Sequence, residues 1–84
     1  MENIKIGIVI KFFSKPSVAA MEITDGTLNV GDRIRIHGAT TDFEQSVDSM
    51  QVENSTITEA KKGDRIGIKV NDKVREHDIV YKII

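Results

Sequence analysis

The chain has 84 residues, twelve basic against thirteen acidic, with a formal net charge of −1. That is one small domain, expected over residues 1–84, without the basic excess of a dedicated nucleic-acid binder, whose affinity rests on phosphate contacts. Having no Cys, it can form no disulfide or thiolate metal site. No apolar run approaches the ~20 residues that span a membrane, and Met1-Glu2-Asn3 does not open a signal-peptide pattern, so the cytosol is the expected compartment.

The dominant period along the chain is two, the period of a strand. Ile4, Ile6, Ile8 and Ile10 alternate with Lys5, Gly7, Val9 and Lys11, which predicts a first strand with the isoleucines and Phe12 on its apolar face. Gly7 within it predicts a bend or the close approach of another backbone. Ser14–Ser17, with the only proline, reads as a loop, and Val18–Thr24 as a strand with Ala19, Met21 and Ile23 on one side. Asp25-Gly26 is a hairpin signal. Leu28 and Val30 lead to Gly31-Asp32 and a strand in which Ile34 and Ile36 alternate with Arg33 and Arg35, closed by His37-Gly38.

Phe43–Glu53 reads as one longer strand whose phase slips. Phe43, Gln45 and Val47 share one parity and Met50 and Val52 the other, so a bulge is expected near Ser49. A short strand follows at Thr56–Thr58. The turn Ala60-Lys61-Lys62-Gly63 places Gly63 at the natural left-handed position. Ile66, Ile68 and Val70 alternate in the next strand, and the last covers Ile79–Ile83. Seven candidate strands and no amphipathic helix predict an all-β domain, a barrel or sandwich, and closure would remove exposed edges.

Gly31-Asp32-Arg33-Ile34 recurs as Gly63-Asp64-Arg65-Ile66, and Glu76-His77-Asp78-Ile79 is a looser third copy without the glycine. Each copy supplies a turn residue, an Asp able to bond local N–H groups, and the start of a strand. Reuse of one turn-to-strand solution explains the echo better than a solenoid does, because the intervening segments differ.

Chemistry finds little support. Gly26 and Gly31 have the outer spacing of a phosphate-binding loop, but Asp32-Arg33 follows where that loop needs Lys and Ser or Thr. His37 and His77, the only histidines, lie at strand ends and do not form a ligand pair within one element. Asp32, Asp64 and Asp78 are expected to stabilise turns. No catalytic residue, metal or cofactor is expected, and a small molecule in the barrel mouth has no motif behind it.

Three stretches carry a family resemblance. Leu28-x-Val30-Gly31-Asp32-x-Ile34, Val47-Asp48-Ser49-Met50-Gln51 and Glu59-Ala60-Lys61-Lys62-Gly63-Asp64-Arg65-Ile66-Gly67-Ile68 resemble, in order and spacing, domain two of translation elongation and initiation factors, the elongation factor Tu domain 2 type. The match runs from Gly7 to Tyr81 and departs at His77-Asp78, where many relatives carry Gly-Asp. The resemblance implies a small closed antiparallel barrel of six or seven strands, here standing alone without a GTPase. It also implies contact with RNA or the ribosome, in a non-enzymatic binding role. A similar barrel occurs as a C-terminal domain of collagenase-like peptidases, some of which act in RNA modification. Docking on such a separately encoded protein is the alternative.

Candidate binding residues for RNA or a partner are Lys11, Phe13, Lys15, Lys61, Lys62 and Arg65. Lys11 and Lys15 flank Phe12, Phe13 and Pro16, a basic pair beside aromatics. Lys61, Lys62 and Arg65 form a second basic group. Phe12 is expected in the core and Phe13 to cap the barrel's open end, the alternative being an exposed anchor. A docking surface would use Phe13, Val9 and neighbouring apolar groups.

Overall fold

Alternating apolar residues become ten strands in the computed structural model, which describes residues 2–84 and contains no helix among them. They are β1 (Asn3–Phe13), β2 (Val18–Ile23), β3 (Thr27–Asn29), β4 (Arg33–His37), β5 (Asp42–Ser46), β6 (Met50–Val52), β7 (Ser55–Ile57), β8 (Glu59–Lys61), β9 (Arg65–Lys69) and β10 (Ile79–Ile83). The count exceeds the seven expected for two reasons. The stretch expected as one strand from Phe43 is divided into β5 and β6 at residues 47–49, and β3 and β8 form a separate two-stranded sheet. Strands of three residues are too short for alternation to register in the sequence.

The larger sheet runs β5-β4-β10-β1-β2-β9-β6-β7, with every pairing antiparallel. β5 opens this order and β6 stands next to its far end, yet only residues 47–49 separate them in the chain. The sheet therefore curls back on itself through one bent stretch of backbone. Counted as one stave, β5–β6 joins β4, β10, β1, β2 and β9 to make six, within the predicted range. Between β5 and β9 the seam is bridged by a side chain. Gln45, 4% exposed, donates from Nε2 to the Lys69 carbonyl at 2.9 Å and accepts at Oε1 from the Asn71 N–H at 2.7 Å. One amide thus does the work of a pair of backbone rungs.

Inside lie Ile6, Met21, Ile23, Leu28, Ile34, Ile36, Met50, Ile68 and the smaller aliphatics around them. Each large side chain so buried contributes roughly 1.5–3 kcal/mol relative to leaving it in water. The expected rows hold in β2, β4 and β9. In β1 they do not: Ile6 and Val9 are buried, while Ile4 and Ile10 are 42% and 39% exposed and Ile8 is half-buried. Two irregularities cause the change, between Lys5 and Gly7 against β10 and between Val9 and Lys11 against β2. Each inserts a residue, and one extra residue reverses the faces beyond it. Gly7 does lie against a neighbouring backbone, since a Cβ there would meet the Glu22 carbonyl oxygen at 2.6 Å.

The three copies of the turn motif fold alike. Asp32, Asp64 and Asp78 accept the N–H of the residue three before them, Asn29, Lys61 and Arg75, at 2.8, 2.9 and 2.8 Å. Their own N–H groups donate back to the carbonyls of those same residues at 3.0, 2.9 and 3.1 Å. The residue before each Asp is left-handed: Gly31 at φ 97°, Gly63 at 95° and His77 at 74°. That residue's N–H and the Asp carbonyl then bracket a buried residue on another stave: Val47 just after β5, Ile23 of β2 and Val9 of β1 respectively. The motif is a clasp that fastens three staves at three places, and His77 completes the third despite carrying a Cβ.

Candidate functional site: the outer groove of β1, β2, β9 and β6

Strand register lays Lys11, Ala20, Gly67, Gln51 and Thr56 in one row across the outside of the barrel. The middle of that row holds the smallest side chains available. A Cβ added at Gly67 would have only ordinary contacts, with Val18 Cγ1 at 3.4 Å and the Gln51 carbonyl at 3.9 Å. On one side runs the row Ile8, Glu22 and Arg65; on the other, Phe13, Val18 and Lys69. Small residues flanked by larger ones make a groove of about 590 Å³, whose apolar lining comes from Ile10, Phe13, Val18, Ala20, Val52 and Ile66.

Phe13 does not cap the barrel. It is 44% exposed on the groove wall, and the Lys11 ammonium sits 5.2 Å from its ring centroid. Such a contact is worth about 0.5–1 kcal/mol at an exposed site. The inserted residue between Val9 and Lys11 is what turns Phe13 outward and Phe12 inward against the core. Val9, expected on a docking surface, is 1% exposed and belongs to the core.

Charges around the groove balance: Lys11 and Arg65 against Glu53 and Asp64. Arg65 meets Glu22 across the strands at 3.5 Å, and Asp64 is held by its clasp. Of the six candidate binding residues, the structure brings Lys11, Phe13 and Arg65 to this groove. Lys61 and Lys62 are exposed on β8 and the turn after it, beside the groove residues Gly63 and Asp64, and Lys15 is exposed in the β1–β2 turn. Ala20, Gly67, Gln51, Val52 and Glu53 were not among the candidates. Gly67 had a signal, a glycine on the outward parity of a strand; the others needed the register.

A second, more polar cleft of about 330 Å³ lies between Thr40–Phe43 and residues 72–75. Its Asp42 is engaged: Arg35 reaches it with two hydrogen bonds, at 2.8 and 3.0 Å. Those bonds hold the Asp42 carboxyl below the ordinary carboxylate range and raise the guanidinium of Arg35. His37 and His77 are exposed, and among the described residues no three His, Asp or Glu side chains gather as metal ligands would.

Comparison with known proteins follows the same lines. The chain is 47% identical over 80 residues to an uncharacterized protease of Methanocaldococcus jannaschii, covering 94% of this chain and 19% of that protein. It is 43% identical over 82 residues to a collagenase of Porphyromonas gingivalis, covering 96% of this chain and 20% of the other. The chain thus spans about a fifth of the length of the curated relatives it matches. Its fold is that of the C-terminal domain of a protein described as a U32 peptidase in Geobacillus thermoleovorans, with a TM-score of 0.88, 16% identity, and coverage of 95% and 92% of the two chains. GDP-bound aIF5B from Aeropyrum pernix contains a similar barrel, with a TM-score of 0.68 and 15% identity over 95% of this chain and 15% of that one. Residues 17–80, more than half the chain, match the sequence model described as elongation factor Tu domain 2, and the chain belongs to that family.

Proposed function

We propose that this barrel is a non-catalytic accessory domain that docks, through its outer groove, on the catalytic domain of a U32-peptidase-type protein. The observation that carries the reading is the groove itself: an apolar floor of Ala20 and Gly67, an exposed aromatic at Phe13, and a rim of balanced charge. Apolar centres with aromatic anchors and mixed polar rims characterise protein interfaces. Identity of 43–47% to proteins called a protease and a collagenase supports the choice of partner class. Contact with RNA is the other expectation, supported by Lys11 beside Phe13 and by exposed Lys15, Lys61 and Lys62. The balanced rim favours protein, because a phosphate backbone rewards a basic excess.

The test is titration calorimetry of the purified chain against a full-length U32-peptidase-type protein from the same organism, alongside a structured RNA. Saturable protein binding that survives 0.5 M salt, and that Phe13→Ala weakens about ten-fold or more, is the expected result. Absence of protein binding, with salt-sensitive RNA binding in its place, would overturn the reading.

A further inference from the structure

We propose that Glu53 is the specificity residue of the groove, and that the docking segment sets a Lys or Arg against it, beside an apolar side chain lying on Ala20 and Gly67. The inference rests on the docking reading above and names the chemistry of the occupant.

Two independent observations carry it. Glu53 and Asn54 join β6 to β7 as a two-residue hairpin with both residues left-handed, at φ 48° and 68°. Two positive φ values define the mirror-image turn that suits the twist of a hairpin, and its central positions favour Asn, Asp and Gly. Asn54 fits that preference. Glu53 does not, since its longer side chain offers no local bond to offset the left-handed backbone. A non-glycine residue held in this region is a pointer to function when it borders a site, and Glu53 lines the groove.

The second observation is charge. Lys11 stacks on Phe13, Arg65 meets Glu22, and Asp64 accepts the Lys61 N–H. Among the described residues, Glu53 alone of the four charged groups on the rim makes no hydrogen bond, ion pair or cation–π contact. The groove is thus internally satisfied except for one carboxylate, placed on a turn that other residues would form more readily. Its complement is a cation carried in with the apolar segment.

Three variants separate this inference from the docking reading, each measured by thermal unfolding and by titration against the full-length U32-peptidase-type protein. Glu53→Asn is expected to raise Tm by about 2–5 °C, as strain leaves the turn, while weakening binding about five-fold. Glu53→Lys is expected to weaken binding further, about ten-fold or more, with the loss reduced by salt. Gly67→Leu fills the floor and is expected to abolish binding without lowering Tm. If Gly67→Leu abolishes binding but both Glu53 variants bind like the parent chain, the role of Glu53 is refuted and the groove stands. If Gly67→Leu binds like the parent chain, the groove is not the interface and both proposals fall.

Discussion

Replacing Gln45 with Leu removes the amide that bridges β5 and β9 while keeping nearly the same volume. The Lys69 carbonyl loses a donor at 2.9 Å and the Asn71 N–H an acceptor at 2.7 Å, at a residue only 4% exposed. A buried backbone group left unpaired costs ~1–3 kcal/mol, so two cost ~2–6 kcal/mol. Burying the Leu side chain returns ~1.5–3 kcal/mol of that. The difference centres on a net loss of about 2 kcal/mol and reaches at most about 4 kcal/mol, from a total of ~4–13 kcal/mol for a domain of this length. At ~4–8 °C per kcal/mol, the central value lowers Tm by roughly 8–16 °C. Far-ultraviolet circular dichroism through a urea titration suits the measurement, because the chain has no Trp and a single Tyr. Gln45→Glu sharpens it: the carboxylate keeps an acceptor for Asn71 but turns a second oxygen toward the Lys69 carbonyl. This variant should be less stable than Gln45→Leu at pH 7 and should recover relative to it at pH 4 and below, as protonation restores a donor. A Gln45→Leu protein within 0.5 kcal/mol of the parent would refute the idea that this side chain holds the seam.

His77→Gly should stabilise the domain by up to about 1 kcal/mol, because φ 74° strains any residue with a Cβ, whereas Gly31→Ala and Gly63→Ala should each cost about 1–2 kcal/mol in urea denaturation. Asp42 has its carboxyl lowered by its hydrogen bonds to Arg35, so the stability this pair contributes is present above the ordinary carboxylate value of 3.8 and is lost as pH falls through the lower folded value. The parent chain's advantage over Arg35→Met should therefore be present at pH 6 and shrink below pH 3.8, read by denaturation across that range.

How legible the molecule was in its sequence depended on whether a feature is local. Alternation in β2, β4 and β9 places their isoleucines correctly because those strands are regular. The Gly-Asp echo foretells the Asp-held turns, since each is made within four residues, but not the distant residues they bracket, Val47, Ile23 and Val9. β1 misleads because its two inserted residues are dictated by β10 and β2, which its own pattern does not reveal. The groove was half visible. Lys11, Phe13 and Arg65 declared themselves by chemistry, but its floor is defined by absent side chains at Ala20 and Gly67, brought into line only by cross-strand register. Gln45 shares the parity of Phe43 and Val47 in the sequence, but its partners lie twenty-four and twenty-six residues further along the chain.

Amide chemical-shift mapping of the isotopically labelled chain, titrated with a full-length U32-peptidase-type protein, examines the interface residue by residue. Perturbations gathered at Lys11, Phe13, Ala20, Gln51, Glu53 and Gly67 are the expected pattern. Shifts centred instead on the exposed Ile4 and Ile84, or no shifts at saturating partner, would contradict docking through this groove.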